Sequence, residues 1–248
     1  GQVAGVGLTG RGALRVAVRD LKKKGEARLW LRTLYRPGEL SANYYGASFS
    51  PKLYPGQTVT ARVRVPAEAP AGLTAALFAR DDHTRAEHQA PGAALTPGEW
   101  QTLTYTLPRL ENVLLSDVGL VLRTTGEAWS GHLLLDMLDW AGSADFATDF
   151  SRERPEYGAA SGWTFLRGYW RLEAGAYHGS GPGVNETYTG DDGWGDLALS
   201  VDLAPLAGEH HNVNVRVQGA RRSYAVGLAP GGRLVIYKNA GGYRVMAR

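Results

Sequence analysis

The 248-residue chain carries seven Trp and 12 Tyr. Tyr44-Tyr45, Trp129, Trp163, Tyr169, Trp170, Tyr188 and Trp194 fall in or beside stretches rich in Gly, Asn, Asp and Ser. The apolar CH face of a sugar ring stacks on an exposed aromatic, and its hydroxyl rim exchanges hydrogen bonds with Asn, Asp and Arg. Loops concentrate binding residues, so Tyr44, Tyr45 and Trp129 lead a ligand-contact set that Trp163, Tyr188, Trp194 and Arg216 complete. The competing reading is ordinary packing, because most Trp and Tyr of a β-sandwich belong to its core or corners. Trp100 and Trp140, in strand-like settings, are assigned to the core.

Asp136 follows three leucines, and Asp139 stands three residues on. A carboxylate inside an apolar strand is costly unless it is paired or binds a hard cation. Calcium held by Asp136, backbone carbonyls and an N-terminal carboxylate is one solution; an edge position or a hydrogen-bonded strand end is the other. Asp81-Asp82-His83 with Glu87 and His88 has metal-ligand chemistry but reads as a polar loop before Pro91-Gly92. His210 and His211 are adjacent, so within a strand they point to opposite faces.

Signatures of catalysis are missing. The chain has no Cys, which excludes thiol nucleophiles, Cys-ligated zinc and disulfides. No nucleophile-elbow Ser and no His-Glu-x-x-His occur. Gly5-Val6-Gly7-Leu8-Thr9-Gly10 matches a dinucleotide fingerprint literally, but a strand pattern follows it where a helix N-terminus is required. A glycosidase pair of carboxylates, whose members can lie far apart in the chain, stays open as the least favoured reading.

The elements that must position these residues are short and have a period of two. Ala13–Val18, Ala27–Arg32, Thr58–Val65, Thr102–Leu107, Val118–Leu122 and His132–Trp140 alternate as half-buried strands do. Pro55-Gly56, Pro70-Ala71-Gly72, Pro91-Gly92 and Pro97-Gly98 punctuate them. No helical periodicity is sustained over three turns. The rhythm resets near Ala141–Asp145, and further strands are expected at 169–172, 196–203, 212–217, 223–228 and 233–237. The expectation is therefore an all-β chain of two tandem antiparallel β-sandwiches, residues 1–142 and 143–248.

Composition agrees. The chain is 44% hydrophobic and 21% charged, with 33 Gly and 12 Pro, too apolar for disorder and too rich in turn residues for a helical protein. Its net charge of +3 is mild and scattered, which argues against a nucleic-acid partner. No run of apolar residues is long enough to span a membrane as a helix. The chain opens on Gly without a Met and ends within a strand pattern, Tyr243–Arg248, so a processed or truncated chain is expected.

Three segments carry resemblances. Pro97-Gly98-Glu99-Trp100, Asp117-Val118-Gly119-Leu120 and Ser130-Gly131-His132-Leu133-Leu134-Leu135-Asp136 together resemble the closing half of a jelly-roll carbohydrate-binding module. This resemblance covers about residues 10–142 and implies that Asp136 lies near a structural calcium, although the usual first strand with its acidic ligand is not visible. Gly168–Glu173, Trp194–Leu199 and Asn214–Leu228 resemble laminin-G/concanavalin-A-like sandwiches. Gly208–Val217 is similar to the C-terminal, non-catalytic region of some bacterial ADP-ribosylglycohydrolase-family proteins, whose helical magnesium-binding acidic motifs this chain lacks. The resulting expectation is a non-catalytic region that binds a carbohydrate or other sugar-containing ligand for a linked, hydrolytic catalytic domain. A structural or protein-interaction spacer is the alternative. The glycan reading implies a secreted or cell-surface location, and the ADP-ribosylglycohydrolase resemblance a cytoplasmic one.

Overall fold

A computed structural model describes residues 2–7, 10, 12–33, 52–152, 160, 162–191, 193–219 and 221–248. Every regular element among them is a strand, so the fold is all-β. Two compact units divide the chain, Gly1–Asp196 and Leu197–Arg248.

The first unit begins with β1 (Gln2–Ala4), β2 (Gly12–Leu21), β3 (Glu26–Arg32), β4 (Thr58–Arg64), β5 (Leu73–Asp81), β6 (Glu87–Gln89) and β7 (Ala93–Ala94). It continues with β8 (Gln101–Thr106), β9 (Leu110–Glu111), β10 (Leu115–Thr124) and β11 (Trp129–Ala141). Two five-stranded sheets result, ordered β1-β2-β11-β4-β8 and β3-β10-β5-β6 with β7 also on β5. Successive long strands cross from one sheet to the other, which is the jelly-roll way of closing a sandwich.

Alternation explains the core. In β4, Val59, Ala61 and Val63 are buried while Thr58, Thr60 and Arg62 are not. In β5, Leu73, Ala75, Leu77 and Ala79 point inward to meet Val118, Leu120 and Leu122 of β10 and Leu133 and Leu135 of β11. Phe78 and Val121 are also buried, but they belong to a separate cluster with Ala76 on the outer side of the second sheet. That outer cluster has a polar surround, described below.

Segment 143–196 belongs to the first unit, so the boundary expected near 142–146 falls inside a compact body. Local contacts explain why. β12 (Phe146–Ala147) pairs in parallel with β9, and the Asp145 amide donates to the Pro55 carbonyl at 2.7 Å. Further along come two hairpin-like pairs, β13 (Thr164–Arg167) with β16 (Glu186–Tyr188) and β14 (Tyr169–Glu173) with β15 (Ala176–Ser180). Tyr54 ties this layer down: its ring lies 4.9 Å from that of Trp194 and 5.4 Å from that of Phe146, and its hydroxyl oxygen accepts from the Gly190 amide at 3.0 Å.

The second unit is a four-stranded antiparallel meander, β17 (His211–Val215), β18 (Arg222–Ala229), β19 (Arg233–Ala240) and β20 (Tyr243–Ala247). Among the described residues this unit holds one sheet, not the two of a concanavalin-A-like sandwich. The strand expected at 196–203 is also absent. Leu197, Leu199, Val201 and Leu203 alternate as a strand would, yet all are exposed, because alternation only prepares a face and a neighbouring ladder is what makes a strand.

Candidate functional site

The outer face of the second sheet is built by register. Trp30 of β3, Gly119 of β10, Phe78 of β5 and Gln89 of β6 stand in one cross-strand row. On one side runs the row Arg32, Asp117, Arg80 and Glu87; on the other run Arg28, Val121 and Ala76, then Glu26, Arg123 and Thr74. Gly119 is indispensable to the aromatic row: a Cβ there would collide with Trp30 Cα at 2.8 Å and Cβ at 2.9 Å. Glycine in a central strand is otherwise unfavourable and marks a close approach.

Phe78 is fully buried, while Trp30 keeps half of its surface exposed. The Arg80 guanidinium carbon lies 5.5 Å from the Trp30 ring centre and 5.4 Å from that of Phe78, and that of Arg28 is 5.6 Å from Phe78. Such stacking fixes aromatic and cation together. Carboxylates complete the lattice. Glu87 Oε1 accepts from Arg28 Nη1 and from Arg80 Nη2 at 2.9 Å. Glu26 Oε1 accepts from Arg28 Nη2 at 2.7 Å, and Glu26 Oε2 pairs with Arg123 Nη2 at 3.2 Å. Asp117 Oδ2 receives Arg85 at 3.1 Å and Arg80 at 3.4 Å, and Arg123 Nη2 donates to the side-chain Oε1 of Gln89 at 3.1 Å.

This lattice decides the chemistry. The hydrogen bond from Arg28 holds the carboxyl of Glu87 below its ordinary range, with Arg80 adding to it, and does the same for Glu26 with help from Arg123. A general acid needs the reverse, a carboxyl raised toward neutrality. These carboxylates are therefore fixed acceptors and orienters of arginine. The face offers an exposed indole edged by preset donors and acceptors, suited to holding a polar ring with one apolar side.

The aromatic residues singled out from sequence lie elsewhere. Tyr44 and Tyr45 are outside the described residues. Trp129 opens β11, folds over Gly131 and packs against the core. Trp163 joins Phe150 and Tyr177 in an aromatic cluster, with ring centres 6.1 and 5.8 Å away. Trp194 packs edge-on against Tyr54. Tyr188 closes β16 opposite Thr164, partly exposed. Arg216 follows β17 in the second unit, at φ 51°. Trp163 also lines a cavity of about 40 Å³ with Lys52, Tyr54 and Asn112, a space for water rather than a sugar. There Lys52 Nζ donates to the Gly162 carbonyl at 2.7 Å, and burial lowers its pKa to about 8.

Glu87 of β6 stands out only among the metal-ligand residue types that follow Asp81-Asp82-His83. Trp30, Phe78, Arg28 and Arg80 carry no motif; their only signal is the phase of β3 and β5, and Leu29-Trp30-Leu31 hides that phase because all three residues are apolar.

Asp136 is set by a bulge: the register of β11 on β4 shifts between Leu135 and Met137, which re-aims the side chain at the bulge. Around the position that a Cβ on Gly7 would take stand the carbonyl oxygens of Gly12 at 2.6 Å and Gly10 at 2.8 Å, with Asp136 Oδ1 at 3.0 Å. These contacts leave no room for a side chain at Gly7; a carboxylate and backbone carbonyls are the oxygen types that calcium takes as ligands. No group of three or more His, Asp or Glu that could hold a metal exists among the described residues. Asp81 instead caps its own turn, accepting from the His83 amide and the Thr84 hydroxyl, each at 2.8 Å.

No family model matches this chain, and no curated protein matches it. Among solved structures it is similar to a carbohydrate-binding module of the β-sandwich superfamily with promiscuous specificity: 18% identity, TM-score 0.40, 57% of this chain and 52% of that one. It is also similar to the CBM22-1–GH10 modules of Clostridium thermocellum endo-1,4-β-D-xylanase 10B complexed with xylohexaose: 14% identity, TM-score 0.35, 56% of this chain and 23% of that one. A third similarity is to the CBM22-1 xylan-binding domain from Paenibacillus barcinonensis: 16% identity, TM-score 0.33, 56% of this chain and 77% of that one. The chain thus spans about half the length of the first of these and a quarter of the second.

Proposed function

We propose that the outer face of the β3-β10-β5-β6 sheet binds a glycan without cleaving it. The observation that carries this reading is the half-exposed Trp30, seated on Gly119 and gripped by Arg80, within a lattice of paired arginines and carboxylates. A sugar ring stacked on the indole lies beside the Arg80 guanidinium, 5.5 Å from the ring centre, and a chain of several sugars crossing the sheet reaches Gln89, three strands from Trp30 in the same row. Arg28, Arg80 and Arg123 each already hold a carboxylate partner, so neutral sugar chains are the first ligands to test. Attached to a catalytic domain, such a surface raises local substrate concentration. The test is titration calorimetry of the chain with a panel of neutral β-1,4-linked oligosaccharides that includes xylohexaose. Saturable binding that Trp30→Ala weakens about tenfold supports the reading, and a blank panel on folded protein removes it.

We further propose that calcium, when bound, sits among Asp136 and the carbonyls of Gly10 and Gly12 and acts structurally. It would tie Gly10 and Gly12 to β11 by charge neutralisation. The readout is thermal stability with and without calcium, independent of any glycan.

A further inference from the structure

The exposed side of the second unit's sheet is apolar where an antiparallel sheet facing water is ordinarily polar. In β18, Ser223, Ala225, Gly227 and Ala229 are buried, and the alternate positions face outward. Those outward positions are Tyr224, Val226 and Leu228; register adds Leu234, Ile236 and Lys238 from β19 and Val213 and Val215 from β17. Leu234 is 60% exposed, Val226 and Ile236 43% each and Tyr224 40%. A contiguous patch of this kind marks a surface built to be covered.

We propose that the cover is a second copy of this chain, the two sheets packing face to face about a two-fold axis as the halves of one β-sandwich. Two features of the sheet favour a copy of itself. The first is area. Strands of five and eight residues, at ~3.3 Å per residue and ~4.8 Å between strands, give roughly 400 Å² in projection per copy. Doubled, and enlarged by protruding side chains, this approaches the ~1,000 Å² at which specific association begins. The dimer is therefore weak and reversible. The second feature is charge. Arg222, Lys238 and Arg244 share the outward face at one end of the sheet, while Leu228, Leu234 and His211 occupy the other. A two-fold axis with antiparallel overlay sets each cationic end over the partner's uncharged end and keeps the cations apart. The interface is isologous: each copy offers the same patch. It does not depend on the glycan reading, which concerns a sheet of the first unit.

Sedimentation velocity on the 248-residue chain, from low micromolar to high micromolar concentration, tests this. The expected result is a concentration-dependent shift from monomer to dimer with micromolar dissociation. The pair Val226→Thr and Ile236→Thr keeps β-branched residues in the strands while removing methyl surface, and is expected to weaken association at least tenfold. Circular dichroism and hydrogen exchange of β18 and β19 at low concentration verify that the variant sheet is folded. Leu199→Lys in the exposed 197–206 segment is expected to leave the dimer intact. A chain that stays monomeric throughout overturns the proposal. So does a dimer that Leu199→Lys dissolves and the Thr pair spares, which would make that segment the interface.

Discussion

Trp30→Ala is the sharpest perturbation available. An indole offers about 200 Å² for burial, and half of Trp30 remains exposed. A sugar ring covers one face, so contact removes about 50–60 Å² of apolar surface, which at ~25 cal/mol per Å² is about 1.4 kcal/mol. That is about a tenfold loss of affinity. Folding is expected to lose up to about 2.5 kcal/mol, because the buried half of the indole, about 100 Å², is deleted with the exposed half at ~25 cal/mol per Å², so binding is compared under conditions where both proteins are folded. Trp30→Phe retains a smaller ring on Gly119 and is expected to recover part of the affinity. The assay is calorimetry with whichever β-1,4-linked oligosaccharide binds the wild-type chain, alongside urea unfolding of each variant. Equal affinity in wild type and Trp30→Ala, with both folded, would refute the placement of the site on this sheet.

Gly119→Ala pushes a methyl into the β3 backbone; it is expected to cost about 2–4 kcal/mol in urea unfolding and to weaken glycan binding as Trp30 is displaced. Glu87→Gln keeps an acceptor oxygen but removes the negative charge shared by Arg28 and Arg80, and should cost about 1–2 kcal/mol at neutral pH. Because Glu87 is held below its ordinary value of 4.5, its contribution is present above about that pH and disappears as pH falls through the lowered value. The wild-type and Glu87→Gln acid-unfolding curves should therefore converge at low pH. Lys52 behaves oppositely: with a pKa of about 8 folded against 10.5 ordinarily, the unfolded chain holds the extra proton, and stability rises between those values by up to about 3 kcal/mol. Lys52→Met should remove that rise, read as the difference between the two proteins' unfolding free energies at pH 7 and near pH 10. Asp136→Asn is expected to remove any rise in Tm produced by calcium, and an undiminished rise would place the ion elsewhere.

Much of the architecture was already written in single strands. Val59-Thr60-Ala61-Arg62-Val63 and Leu73–Ala79 state locally which side chains seek a core, and the Pro-Gly pairs state where the chain reverses. That information needs only the two-residue period of the pleat, so the all-β class follows from residues a few positions apart. Asp136 was legible as an anomaly for the same reason, a charge after three leucines.

Other features depend on which strands become neighbours, and local pattern does not encode that. Trp30, Gly119 and Phe78 lie far apart in the chain, and only the order β3-β10-β5 places them in one row. The arginines and carboxylates that frame them look like solvated strand positions until the register interleaves them. The bulge at Asp136 arises from strand pairing, which also brings it beside Gly7, Gly10 and Gly12. Residues 197–203 show the converse: an alternation sufficient for a strand, without the ladder partner that hydrogen bonding requires. Sequence by itself determined which faces are apolar; tertiary structure decided which of those faces meet, because cross-strand register is a long-range property and side-chain alternation is a local one.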